Sequence, residues 1–367
     1  MINTIKNLKY HIYTAKDGLS FEDSVRDVLK QINREETIFR LAFFACPSNN
    51  EEYLIYKKAI EEQVKGKFEK QVPPFSLIAQ PPTDVTLYLE VQSYSPSKQD
   101  KISFHYLDNT PYILLENQDL RWLLAGGFQA DVVNDSIEMQ SEKVFKQLDA
   151  VLKKENFAIN DIIRQWNYME EITKQDKEGN QHYQLFNNSR TRFYSQTDWN
   201  NGYPAATGIG TDLGGILVEV DAVIPKNKEV VITPIDNKLQ IAAHVYSDLV
   251  LENANDFKST PKFERAKSIA IRDHKLIYIS GTAAIRGEDS LTNVGLEKQL
   301  HITIENIAEL IGDAELKLLR VYLKHSEDQE EAQRLMKTYN LSIPISYMYA
   351  DVCRDELLIE IEGIAIN

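Results

Sequence analysis

One pattern occurs twice in this chain, and its recurrence constrains the architecture more than any other feature. Leu217-Val218-Glu219-Val220-Asp221-Ala222 and Leu358-Ile359-Glu360-Ile361-Glu362-Gly363-Ile364-Ala365 are short apolar strands that each carry two alternating carboxylates. Read backwards from each, the same parts follow in the same order. Pro204-Ala205-Ala206-Thr207-Gly208 lies upstream of Glu219, and Pro344-Ile345-Ser346-Tyr347 upstream of Glu360. Further back, Ile162-Ile163-Arg164-Gln165-Trp166 answers to Leu318-Leu319-Arg320-Val321-Tyr322. Each of these follows an amphipathic stretch. In the first, Val144, Leu148, Val151 and Leu152 fall on one helical face; in the second, Leu300, Ile304, Ile307, Ala308 and Ile311 do so. Each unit therefore reads strands, helix, strand, second helix, strand. That order gives an α+β layer with helices on one face of a mixed sheet, and two such units can bury each other's free sheet faces.

At 367 residues the chain exceeds what one core usually supports. The expected division is residues 1–225, an N-terminal extension plus a first unit whose repeat begins near residue 100, and residues 226–367, a second unit. The first hundred residues show no copy of the acidic pattern. They hold a buried strand over 37–46, a helix from Glu51 to about Lys65 and an alternating strand over 85–91, and are read as completing or covering the first unit. Polar loops at Lys174–Gln181 and Glu252–Lys262 read as surface insertions.

A formal net charge of −14 without a basic stripe argues against nucleic acid and anionic membrane as partners, and so for a small-molecule substrate. One or two arginines in a pocket would still allow that molecule to be an anion. Two distant cysteines, Cys46 and Cys353, make no disulfide framework, and no apolar stretch reaches the length of a membrane span. A reducing cytoplasm is the expected location. The seven histidines show no metal-ligand spacing, so neither metal nor cofactor is expected.

By strand alternation Glu360 and Glu362 share the face opposite Ile359 and Ile361. They are either solvated carboxylates or, on a lined cleft, an acid whose pKa burial has raised enough to donate a proton near neutral pH. Cys353 reads as a small buried hydrophobe rather than a nucleophile, since no Cys/His pair stands at a recognisable spacing. The run Tyr183-Gln184-Leu185-Phe186-Asn187-Asn188-Ser189-Arg190 interleaves aromatics, amides and a cation suited to gripping a carboxylate. Gly208-Ile209-Gly210-Thr211-Asp212-Leu213-Gly214-Gly215 joins strand to strand, which makes it a poor phosphate loop.

Ile359-Glu360-Ile361-Glu362 and Ile279-Ser280-Gly281-Thr282 resemble the reactive-intermediate deaminase (Rid/YjgF) superfamily, whose units have a chorismate-mutase-like fold. The doubled form is similar to the chorismatase family over roughly residues 100–367, through Arg164-Gln165-Trp166-Asn167-Tyr168, Phe186-Asn187-Asn188-Ser189-Arg190 and Pro204-Ala205-Ala206-Thr207-Gly208-Ile209-Gly210. The resemblance implies removal of the enolpyruvyl group of chorismate as pyruvate, with Glu360 protonating the enol ether. It implies substrate binding by Tyr183, Asn187 and Arg190, with Tyr246, Arg265 and His244 as further pocket residues. Cysteine at position 353 resembles the subtype that forms 3-hydroxybenzoate; Ala266 in Phe263-Glu264-Arg265-Ala266 resembles the hydrolytic subtype that forms a dihydroxycyclohexadiene carboxylate. The first product is the expectation and the second its alternative. One active site is expected, in the second unit with the first as its wall, in a monomer or small homo-oligomer.

Two other readings make different demands. Rid-type imine or enamine deaminases resemble one another in an arginine directly after the small residue that follows the proline before the last strand, where this chain has Pro344-Ile345-Ser346-Tyr347 and no arginine. A non-catalytic binding protein needs Glu360 and Glu362 solvated.

Overall fold

The computed structural model describes residues 4–33, 35–245 and 260–367, so the core of the expected insertion at 252–262 lies outside the described residues. Strands and helices run in chain order. The first group is β1 (Leu8–Thr14), α1 (Phe21–Gln31), β2 (Thr37–Ala45), α2 (Asn50–Phe68), β3 (Phe75–Ile78) and β4 (Leu87–Tyr94). The second is β5 (Lys101–Leu107), β6 (Thr110–Glu116), β7 (Leu120–Gln129), α3 (Ile137–Lys154), β8 (Ile162–Glu170), α4 (His182–Tyr194), β9 (Ala205–Thr211) and β10 (Ile216–Pro225). The third starts with β11 (Val230–Ile235), β12 (Ala266–Ile271) and β13 (His274–Ala283), followed by a short hairpin of β14 (Ile285–Arg286) and β15 (Asp289–Ser290). It ends with α5 (Gly295–Ile311), β16 (Glu315–Leu323), α6 (Gln329–Lys337), β17 (Ile345–Tyr349) and β18 (Ile359–Ile366).

The two units read from the sequence are six-stranded sheets of identical order, β5-β6-β7-β10-β8-β9 and β11-β12-β13-β18-β16-β17. In each, the last strand of the unit is antiparallel to both neighbours, and the outermost pair, β8 with β9 or β16 with β17, is parallel. The N-terminal region corrects the sequence reading. Its sheet has the order β1-β4-β2-β3, with β2 and β3 parallel and β4 antiparallel to both neighbours. This is the same unit without its leading hairpin. The chain is thus a triplication, and the first hundred residues carry a shortened copy of the repeat.

Each unit packs its helices on one sheet face around its own apolar cluster. Val25, Phe43 and Ile60 centre the first, Val144, Phe186 and Val218 the second, and Leu300, Leu319 and Ile361 the third. The opposite sheet faces meet in one shared core that includes Tyr10, Phe44, Trp122, Trp166, Tyr278 and Tyr322. The three sheets close a ring. The first meets the second through β3 and β7, the second meets the third through β9 and β13, and the third returns to the first through β1 and β16. Backbone hydrogen bonds reinforce that return, from Thr83 N to Tyr347 O at 3.2 Å and from Tyr349 N to Pro81 O at 2.9 Å.

Around the ring axis lie three buried arginines at equivalent register positions, Arg40, Arg164 and Arg320, opposite Gln92, Asp221 and Glu362 respectively. Each reaches across to an acid of the next unit. Arg40 pairs with Asp221, Arg164 with Glu362, and Arg320 with Glu90 at 2.6 Å. All three guanidiniums lie over the Trp166 indole, at 4.7, 4.6 and 5.9 Å from its centroid.

Candidate active site

Two strand positions before the inner residues Gln92, Asp221 and Glu362 stand three equivalent glutamates, Glu90, Glu219 and Glu360. All are buried, at 7%, 0% and 5% exposure, so the solvated-carboxylate alternative does not hold. Their surroundings differ. Glu90 accepts from Arg320 Nε at 2.9 Å and Nη2 at 2.6 Å. Glu219 accepts from Ser76 Oγ at 2.7 Å, with Arg40 Nη1 at 3.5 Å. For Glu360 no side-chain hydrogen bond or ion pair is found among the described residues.

The cause lies one step inward, in the identity of the inner residue. Glu362 takes Arg164 and the Thr207 hydroxyl, together with Arg320 Nη1 at 3.0 Å and Tyr322 OH at 2.8 Å. Asp221 is one methylene shorter and takes Arg40 and the Tyr278 hydroxyl, so Ser76, at the strand position equivalent to Thr207, turns to Glu219 instead. Gln92 is neutral, and Arg320 binds Glu90.

Electrostatics follow from these contacts. Burial pushes the Glu360 carboxyl up to about 8, the Glu362 charge adds to the rise, and Arg265 and Arg164 oppose it. Burial acts the same way on Glu362, but Arg164, Arg320 and the two hydroxyl donors overcome it and hold that carboxyl below its ordinary value. The pair is therefore one carboxyl that burial favours in its protonated form beside one that its partners favour as the anion. The Glu360 carboxyl lies directly over Gly281, where a Cβ would overlap it; Gly281 N donates to Thr207 Oγ1 at 3.0 Å. A bulge in β13 beside β18 creates this close approach.

The other predicted residues gather from two units. Along α4, Tyr183, Asn187 and Arg190 are spaced to share one face, and Arg190 Nη2 donates to Asn187 Oδ1 at 2.7 Å. Arg190 Nε is buried without a partner, so the guanidinium keeps a donor to spare. Burial pushes the Tyr183 hydroxyl up to about 12, with Cys353 and Glu360 adding and Arg190 opposing, so these four groups lie within electrostatic reach of one another. Cys353 is half-buried against the second unit's apolar cluster, and burial with the neighbouring Glu360 pushes its thiol up to about 12. At neutral pH it is an uncharged thiol, not a nucleophile. From the third unit Arg265 enters with Nη2 on Ile241 O at 2.9 Å and its guanidinium over Phe263. His244 lies 4.0 Å from Glu264 and 5.5 Å from the Tyr203 ring.

Ala266 departs from expectation. Its side chain packs in the apolar cluster of the third unit with Ile277, Ile279 and Leu300, on the sheet face away from Glu360, so it supports Arg265 and does not line the site. Tyr246 lies outside the described residues. Sequence reasoning missed the roles of Thr207 and Arg164, both inside strings singled out for resemblance, because their effect depends on a partner in another unit. It also missed Lys267, whose ammonium donates to the carbonyls of Asn201, Gly202 and Tyr203 at 2.8–2.9 Å and fixes the approach to β9.

Comparison with known proteins finds likeness to one kind of enzyme. Residues 114–222, most of the second unit, match the family described as chorismatase FkbO/Hyg5-like, N-terminal. A crystal structure described as a chorismatase superposes on 97% of this chain and 98% of its own, with a TM-score of 0.69 at 18% identity. The chain is similar to the chorismatases, in sequence over part of its length and in fold over nearly all of it. It is 28% identical over 232 residues to a 3-hydroxybenzoate synthase of Streptomyces hygroscopicus, covering 58% of this chain and 65% of that protein. It is 26% identical to a chorismatase of Streptomyces rapamycinicus, covering 55% of this chain and 63% of that protein. Both matches span a little under two thirds of the relative's length. The chorismatase fold thus extends over the whole chain, while the sequence likeness is confined to part of it.

Proposed function

We propose that this protein removes the enolpyruvyl group of chorismate as pyruvate and leaves 3-hydroxybenzoate. The carrying observation is Glu360: a buried carboxyl without a side-chain partner among the described residues, with its pKa raised to about 8 beside Glu362, whose own pKa its partners hold below the ordinary value. Such a group is protonated at neutral pH and able to donate to carbon. Proton transfer to the enolpyruvyl methylene makes an oxocarbenium ion, and the Glu360 carboxylate left behind stabilises that cation at short range. The ring hydroxyl on C4 then bonds through its oxygen to C3 as the C3–ether bond breaks, so that the ether oxygen leaves as the ketone oxygen of pyruvate; the hydroxyl proton returns to Glu360, the epoxide opens at C4, and loss of the C3 proton aromatises the ring with its oxygen on C3. No water is consumed overall. Arg190, with its spare Nε, and Arg265 supply the two cations that a dicarboxylate substrate requires, and Tyr183 offers a neutral hydroxyl between Arg190 and Glu360.

Cys353 favours the benzoate product over the hydrolytic one. Its neutral thiol lies within electrostatic reach of Glu360, where its bulk would disfavour an attacking water, and Ala266, the residue that spoke for hydrolysis, faces the core. The deaminase reading is disfavoured because Ser346 stands where an arginine is needed, and its hydroxyl is buried without a partner. Incubation of purified protein with chorismate, following pyruvate by coupled assay and the ring product by chromatography, tests the proposal. Pyruvate with an aromatic product, lost in Glu360→Gln, is the expected result; a non-aromatic diol would replace the product assignment, and no pyruvate would end the proposal.

A further inference from the structure

The ring has another seam built from the same parts as the candidate active site. That site is lined by α4 and β9 of the second unit and by β13 and β18 of the third. The corresponding elements between the first and second units are α2, β3, β7 and β10, and together with α3 and the turn between β5 and β6 they line a cavity of about 350 Å³. Along α2, Tyr53, Lys57 and Ile60 repeat the spacing of Tyr183, Asn187 and Arg190 along α4, and all three line the cavity.

We infer that this cavity is a second small-molecule site, which takes a monocyclic monocarboxylate through Lys57. Lys57 Nζ donates to the neutral Gln129 Oε1 at 2.5 Å and forms no ion pair among the described residues, which leaves two ammonium protons for a ligand. Gln129 is itself fixed, by Nε2 donating to Tyr53 OH at 2.9 Å and to Gly214 O, and Tyr53 OH donates to Leu77 O at 2.9 Å. The cation is therefore held by a satisfied polar network and not by a counter-charge. Burial depresses the Lys57 pKa with Glu61 opposing, as expected of an ammonium awaiting an anion. Phe75, Leu77, Val151 and Leu217 supply apolar walls for a ring, and the volume is ample for one. Charge sets the limit on the anion. Lys57 is the one cation in the lining, and Glu61 and Asp108 line it too, so a single carboxylate has to sit directly on Lys57 and any second negative charge meets net repulsion.

This inference stands apart from the proposed reaction, because it concerns a different seam and a probe that needs no turnover. The full-length protein, methyl-labelled on valine and leucine, is titrated with benzoate. Saturable shifts of the Val151 and Leu217 methyls are expected, together with an affinity that falls by about tenfold or more in Lys57→Met, the loss expected of one charge-assisted hydrogen bond. Lys57→Arg should retain binding, and Arg190→Met, in the other seam, should leave these shifts unchanged. Absence of saturation up to about 10 mM benzoate in the wild-type protein, a range in which even a weak site is visible, would overturn the inference. Binding that persists in a folded Lys57→Met variant but disappears in Arg190→Met would overturn it as well.

Discussion

The seam around Glu219 and the seam around Glu360 are two versions of one construction. Each places a glutamate at the same point of the same strand, over a glycine of the neighbouring strand, beside an arginine and a hydroxyl from the preceding unit. In the first, the hydroxyl of Ser76 donates to the glutamate and Arg40 is shared between that glutamate, at 3.5 Å, and Asp221; in the second, Thr207 and Arg164 both bind the acid two residues further along. The lesson is that the raised pKa of Glu360 goes with a hydroxyl and a cation held wholly by its neighbour, not with any special group. One methylene, the difference between Asp221 and Glu362, decides where the hydroxyl points.

The sharpest way to break this comparison is to neutralise both glutamates. Glu360→Gln is expected to lower the rate of pyruvate release by about a thousandfold, within the range for loss of a general acid, while Glu219→Gln changes it by less than about threefold. Equal losses measured in the coupled assay would mean that the two carboxyls do the same job. On the structural side, Arg40→Met leaves Asp221 and Glu219 buried without their cation, and urea denaturation should show a loss of about 3–5 kcal/mol. A loss below 1 kcal/mol would show that the first seam does not depend on its ion pairs.

A subtler test converts one seam toward the other. Glu362→Gln removes the anion beside Glu360 and frees Arg164 and Thr207 to engage it, so the alkaline limb of the kcat profile should move down by about one pH unit or more. A limb that stays near pH 8 would assign the raised pKa to burial alone. The same carboxyl links stability to pH. Its folded pKa of about 8 lies above the ordinary carboxyl value, so its contribution is fully present below about pH 4.5 and is lost as pH rises through 8. Glu360→Gln suffers no such loss. It should be more stable than the parent at pH 9 by on the order of 2 kcal/mol, and equal to it at pH 4, in denaturation at the two pH values. The smallest expected effect is that of Cys353→Ala. An uncharged thiol carries no proton in the first step, so the rate should change by less than about tenfold while chromatography shows the ring product shifting toward the diol.

Much of this was legible in the residues, and what was not has a common cause. Two copies of the unit announce themselves because alternating carboxylates on an apolar strand are conspicuous. The third hides because Gln92 replaces the inner acid and the leading hairpin is missing, so only its hydrogen-bond topology reveals it. Glu360, Cys353, Tyr183 and Arg190 could be named from local strings. Thr207 and Arg164 could not be given roles, since what they do depends on Glu362, far away in sequence and across a seam. Ala266 was misplaced for a simpler reason: it follows Arg265 directly as the chain enters β12, and successive residues in extended backbone face opposite ways.

The axis of the ring has a consequence for how such a molecule could be assembled. The positions facing one another there by repeat register are Ala42, Trp166 and Tyr322, a small, a very large and an intermediate side chain. A ring of three identical chains must repeat one choice three times, and three indoles would collide where three alanines would leave a void. Joining the units in one polypeptide removes that restriction. A single indole can then plug the centre, and each guanidinium can find a different partner, an asymmetry open only to subunits that have become segments.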